Sequence, residues 1–220
     1  GAAGENIMFG GSDSATEGLV PSDIELRRNL STKRLAWKAA GVAAKNAFEL
    51  KNARRVLVDG NVFEHVWTSG QNGTAIVLKS ANQEGRCTWC VTEYVTFSNN
   101  VVRDAASGMA INAAEAGAKG LPLPQHANHI RVTNVLFENI GAPEWGTGGK
   151  PLRLTNGVSD VEITHVTSPS HPNGILDPPH TAALNPNLGF QNNLPEPRLY
   201  GPAPGPTPAG CAAAAWPSPS

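Results

Sequence analysis

The sequence predicts an all-β chain in which short parallel strands stack as the coils of a solenoid, and three observations carry that expectation. The first is a repeat. Five segments align on an aliphatic residue at Ile24, Val56, Val95, Ile130 and Val161, with separations of 32, 39, 35 and 31 residues, a period in the range of repeat architectures. The second is alternation within each copy. Leu26, Val58, Phe97, Val132 and Ile163 follow two residues later, with charged or hydroxyl residues between in most copies, as Glu25, Thr96, Arg131 and Glu162, so each copy reads as a strand with one buried face. The third is another strand family, Ile7/Phe9, Phe48/Leu50, Ile76/Leu78, Met109/Ile111 and Leu152/Leu154, which alternates with the first in strict order.

The turns between these strands lack Asn-Gly pairs at the two-residue spacing of tight hairpins. Each strand is therefore expected to pair in parallel with its counterpart one coil away. Five residues after the anchor stand Asn29, Asn61 and Asn100, and then Val135 and Val166. Asparagine tolerates positive φ at a turn, and amides stacked at the inter-strand spacing of ~4.8 Å can bond one another in a ladder. The switch to valine predicts that the stack changes character in the later copies.

Composition agrees with this reading. With 40% hydrophobic and 16% charged residues among 220, and with 23 Gly and 18 Pro, the chain can bury one substantial core and suits strands and turns better than helices. The sole helical candidate is Leu35 to Lys45, Ala-rich and interrupted by Gly41. The strand signal fills 1–167. It fades over 168–200, an irregular final coil or cap in which Asn192-Asn193-Leu194 echoes the Asn turn, and 201–220 is a Pro/Ala/Gly-rich tail that cannot donate to a ladder. Gly1 to Asn6 already reads as a coil in progress, so earlier coils are expected to be missing and the open first edge is a place for self-association.

The strand, Asn and aliphatic-corner pattern resembles the right-handed parallel β-helix of the pectin-lyase-like kind. Glu5-Asn6-Ile7-Met8-Phe9-Gly10-Gly11, Phe48-Glu49-Leu50-Lys51-Asn52-Ala53 and Asn82-Gln83-Glu84-Gly85-Arg86 resemble segments of a functionally uncharacterised family of secreted bacterial β-helix proteins, and the likeness covers residues 5 to 165. It implies a right-handed parallel β-helix of about five coils, truncated at its N-terminal end, in an extracellular or periplasmic protein that meets polysaccharide. It assigns no catalytic residue, because such scaffolds carry lyases, polygalacturonase-like enzymes, epimerases, tailspikes and adhesins alike.

Other features narrow the partners. A net charge of −1 argues against nucleic acid, which demands a concentrated basic surface. No stretch approaches the ~20 apolar residues of a membrane span. Basic residues gather at Arg27, Arg28, Lys33, Arg34 and Lys38 and again at Lys51, Arg54 and Arg55, either as solvated surface or as a strip attracting an acidic polysaccharide. Gly11-Ser12-Asp13-Ser14-Ala15 is not a nucleophile elbow and reads as a Ser/Asp-rich turn.

Two insertions, Lys79 to Tyr94 and Asn112 to His129, occupy the same place in successive coils and are expected to be neighbours. The first contains Cys87 and Cys90, the second His126 and His129, a donor set for tetrahedral zinc; a Cys87–Cys90 disulfide in an oxidising compartment is the alternative. Trp37, Trp67 and Trp145 follow the anchors by 13, 11 and 15 residues, and Trp89 lies in an insertion. With Lys38 they form a candidate strip for sugar rings, or else they cap the core. Glu64 and Glu138 share an offset, with Arg103 at that offset between them. Paired carboxylates suit a glycoside hydrolase, whereas an arginine with a cation such as calcium suits a polysaccharide lyase. The expected function is thus a polysaccharide hydrolase or lyase, with a non-catalytic carbohydrate-binding or structural module as the alternative.

Overall fold

A computed structural model describes residues 3–147, 149–169, 176–177 and 185–195; the predicted tail over 201–220 lies outside them. Strands come in runs of two or three. The first run is β1 (Ile7–Gly10), β2 (Ser22–Arg27) and β3 (Leu30–Thr32), closed by the short helix α1 (Leu35–Ala39). Next come β4 (Phe48–Lys51), β5 (Ala53–Asp59) and β6 (Val62–Val66), then β7 (Thr74–Asn82), β8 (Thr92–Ser98) and β9 (Val101–Ala105). They are followed by β10 (Ser107–Ala116) with β11 (Asn128–Ile140), and by β12 (Leu152–Thr155) with β13 (Ser159–Ser168). The last described strands are β14 (Leu176–Asp177), β15 (Leu188–Gln191) and β16 (Leu194–Pro195).

All pairings are parallel among the described residues. One sheet has six strands in the order β1-β4-β7-β10-β12-β14; the other has ten, running β2-β5-β8-β11-β9-β6-β3 with β13 also on β11 and β15 and β16 on β13. Register is set by the aliphatic pattern: Ile24 pairs with Val56, Val56 with Val95, Val95 with Ile130 and Ile130 with Val161. A one-residue slip would turn each of these core side chains outward.

The expected right-handed β-helix solenoid of about five coils is corrected by this topology. The described strands build two parallel sheets, and the larger turns back on itself at β11, which pairs with β8 along its first half and with β9 along its second. The result is a half-barrel facing a flatter sheet, a mostly β chain whose parallel strands and long crossovers resemble an α/β arrangement, with loops where helices usually stand. The expectation rested on two strand families. It missed β3, β6 and β9, and it did not foresee that in the later runs the second and third strands fuse into one, as β11 and β13.

The fusion has a local cause. In the earlier repeats an asparagine follows a left-handed residue: Arg28 at φ 52°, Gly60 at 69° and Asn99 at 57°. Asn61 Oδ1 accepts from both the backbone N–H and the side-chain amide of Asn29, and Asn100 Oδ1 accepts likewise from Asn61. Asn61 Nδ2 then donates to the Leu26 carbonyl and Asn100 Nδ2 to that of Val58. These bonds replace ladder pairing at the corner and split β2 from β3, β5 from β6 and β8 from β9. Val135 offers no such amide, and β11 continues through the position. Asn193 resumes the device, accepting from the Val166 N–H and donating to the Ile163 carbonyl.

The core lies between the sheets. Phe48, Phe63, Phe97 and Phe137 are fully buried, with ring centroids 6.0 Å apart for Phe48–Phe63 and 5.9 Å for Phe63–Phe97. The helix expected over Leu35 to Lys45 shrinks to five residues. Asp13, assigned to a Ser/Asp-rich turn, is buried and accepts from the backbone N–H groups of Gln83, Glu84 and Arg86. A carboxylate held by successive backbone amides forms a strong latch between distant segments.

Candidate functional site

The third strand of each run, which periodicity overlooked, carries the site. Thr32 pairs with Glu64, Glu64 with Arg103 and Arg103 with Glu138 across β3, β6, β9 and β11. The equal offset of Glu64, Arg103 and Glu138 is thus a row of cross-strand neighbours. Arg103 donates through Nε and Nη2 to Glu64 Oε2 at 2.9 and 2.7 Å. Burial raises the Glu64 pKa, but the Arg103 hydrogen bonds, the adjacent His65 and the Thr32 hydroxyl outweigh it and hold the carboxyl below its ordinary range.

That geometry counts against a glycosidase pair. Two strand spacings separate Glu64 from Glu138 by roughly 10 Å, with a guanidinium between them. The lowered pKa of Glu64 does not suit it to the general-acid role.

The next position of each strand bends the chain. His65, Asp104 and Asn139 adopt φ of 63°, 53° and 53°, a region that histidine, aspartate and asparagine enter more readily than most side chains. The bend turns their side chains into a second row. His65 Nε2 lies 3.9 Å from Asp104 Oδ2, and Asn139 Nδ2 donates to Asp104 Oδ1 at 2.7 Å. His65 Nδ1 is 3.0 Å from the Thr32 hydroxyl and 3.8 Å from Glu64 Oε1. The in-register Asp, Asn and His of this row were the available signal, and sequence reading passed over them.

Loops complete the surroundings. The Thr68 N–H donates to the Trp145 carbonyl, and the Trp145 ring stacks on His65 at 5.5 Å with an interplanar angle of 16°. Lys38 Nζ lies 5.1 Å from the same ring. Trp67 donates its indole N–H to the Val42 carbonyl. Trp67 and Trp145, at 3% and 9% exposure, form a small second core with Ala44 and Ala106, and Trp37 packs against it. The expected open strip of tryptophans is therefore corrected: Trp67 and Trp145 are capping side chains, as their large apolar area favours. Trp37 lies under the Arg34 guanidinium, and Trp89 is half-buried in its insertion, away from this row. A cavity of about 330 Å³ remains between Lys38, Thr68, Ser69, Glu144 and Trp145. The Trp145 indole N–H is buried with no acceptor among the described residues.

The two insertions do meet: the Gln125 N–H donates to the Cys90 carbonyl, and Asn82 Nδ2 donates to that of Pro122. They do not form the zinc site. Cys87 and Cys90 are joined in a disulfide, so neither sulfur is the thiolate that zinc requires. His126 and His129 are exposed, and the His129 ring packs on Tyr94 at 4.7 Å. No helix among the described residues is long and apolar enough to cross a membrane.

No protein-family model matches the chain, and no curated protein or solved structure matches it either.

Proposed function

We propose that the protein binds polysaccharide through the face that holds the Lys38–Trp145 cavity, and that binding rather than bond cleavage is its activity. The observation that carries this reading is the buried Trp145 indole N–H, which has no acceptor yet belongs to a side chain lining an open cavity. A buried donor without a partner costs free energy, and a ligand hydroxyl that reaches the indole N–H as the ring edge shifts toward the cavity removes that cost. Around it stand a cation, Lys38, an anion, Glu144, and the hydroxyls of Thr68 and Ser69, a mixture suited to a polyhydroxylated ligand. The Arg103 guanidinium bonded to Glu64 between it and Glu138 weighs against a paired-carboxylate hydrolysis. The Cys87–Cys90 disulfide supports a secreted or periplasmic location, where such bonds persist.

The test is affinity electrophoresis against a panel of neutral and uronic polysaccharides. At least one should retard the protein, while reducing ends and unsaturated-uronide absorbance stay flat. Trp145→Phe keeps the stack on His65 and deletes the donor, so affinity should fall about fivefold, the equivalent of ~1 kcal/mol for one hydrogen bond. Absence of retardation by every glycan sinks the proposal, and accumulating products would make the protein a hydrolase or lyase.

A further inference from the structure

We infer that Glu64, His65 and Asp104 form a binding site for a divalent transition-metal ion of the zinc type. One donor atom from each side chain lies within 4.8 Å of the other two. A tetrahedral zinc holds such atoms ~3.4 Å apart, given metal–ligand distances of ~2.1 Å. Small side-chain rotations close that difference without moving the strands.

The outer contacts already divide each carboxylate between two tasks. Glu64 Oε2 takes both Arg103 hydrogen bonds, while Oε1 lies 3.8 Å from His65 on its Nδ1 side. Asp104 Oδ1 takes the Asn139 amide, leaving Oδ2 toward His65 Nε2. His65 Nδ1 lies 3.0 Å from the Thr32 hydroxyl, and in the tautomer that places the proton on Nδ1, Nε2 keeps its lone pair on the side facing Asp104. Hydrogen bonds of this sort orient ligands around metal centres. The Trp145 ring fixes the imidazole plane from one side.

Charge favours a cation as well. Glu64, Asp104, Glu138 and Glu144 surround the cluster, while Arg103 and Lys38 are the positive groups that face it. A nitrogen with two carboxylate oxygens selects zinc, manganese or cobalt over calcium, which prefers six to eight oxygens. The remaining coordination positions fall to water. The site is independent of the polysaccharide reading, which rests on the neighbouring cavity.

The experiment is equilibrium dialysis of the full chain against Zn²⁺ after chelator treatment, paralleled by Co²⁺ uptake read as visible absorption. One equivalent of Zn²⁺ should bind and Ca²⁺ should not compete. His65→Ala and Asp104→Asn should each weaken zinc at least ~10-fold. Asp104→Asn keeps the side-chain size and an acceptor for Asn139, so it decides the matter should His65→Ala fail to fold without metal. Uptake well below one equivalent overturns the site. So does full uptake in Asp104→Asn, or loss of uptake in His126→Ala.

Discussion

Asn61 shows how much of this fold a single side chain can hold. It is 1% exposed, and its amide serves the Asn29 backbone, the Asn29 side chain, the Asn100 oxygen and the Leu26 carbonyl. Asn61→Ala removes the partners of the part-buried Asn29 N–H and Leu26 C=O, and each lost bond costs ~0.5–1.5 kcal/mol. Chemical denaturation should therefore show a loss of about 1–3 kcal/mol. The ladder was legible because asparagine is conspicuous at a fixed offset among aliphatic residues. The row of His65, Asp104 and Asn139 was not, since three different residue types share one backbone conformation there and no single letter repeats. Glu64, Arg103 and Glu138 were found together by offset, but spacing alone says nothing of an arginine locking one carboxylate. The cysteine pair shows the same limit: Cys87-Thr88-Trp89-Cys90 is compatible with a metal site and with a disulfide, and only the sulfur positions choose.

Strands set the next scale. The two long families were readable because their inward positions alternate cleanly over several residues. The third, three to five residues long in β3, β6 and β9, barely completes one alternation. Where Val135 replaces asparagine, the break signal vanishes along with the break. Close strand packing also dictates residue choice. A Cβ on Gly108, in β10, would lie 2.4 Å from the Pro151 carbonyl oxygen and 2.8 Å from the Phe137 ring. Backbone cannot yield as a flexible side chain does, so Gly108→Ala should destabilise by roughly 2–4 kcal/mol. Thermal unfolding of the variant checks this, and an unchanged midpoint would show that the β10–β12 contact is looser than described.

Across the whole molecule, burial governs charge. Lys33 is 1% exposed, donating from Nζ to the Gly4 carbonyl at 2.6 Å and to Asn6 Oδ1 at 2.7 Å. Burial pushes its pKa down from 10.5 to about 8, against the pull of Glu5. A lysine depressed in the folded state binds fewer protons there than in the unfolded chain between pH 8 and 10.5, so stability contributed by this residue rises with pH across that window and is lowest below it. Denaturation midpoints of the protein and of Lys33→Met, measured at several pH values from 7 to 10.5, should differ in slope, the variant lacking that rise. Glu49 carries the opposite sign. Burial raises its carboxyl despite Lys51 and Lys79, so its contribution is greatest below the ordinary value of 4.5 and is lost as pH climbs above it.

The Asp13 latch bears on the order in which a ribosome lets the chain assemble. Its carboxylate meets amides 70 to 73 residues later, and translation adds about 5–20 residues each second. For roughly 4–15 seconds, therefore, the nascent Ser/Asp loop has no counterpart to close upon. Long-range contacts of this kind also slow folding after release. The segment around Asp13 is thus a vulnerable interval in biosynthesis, when a protease or chaperone meets that loop before its latch exists.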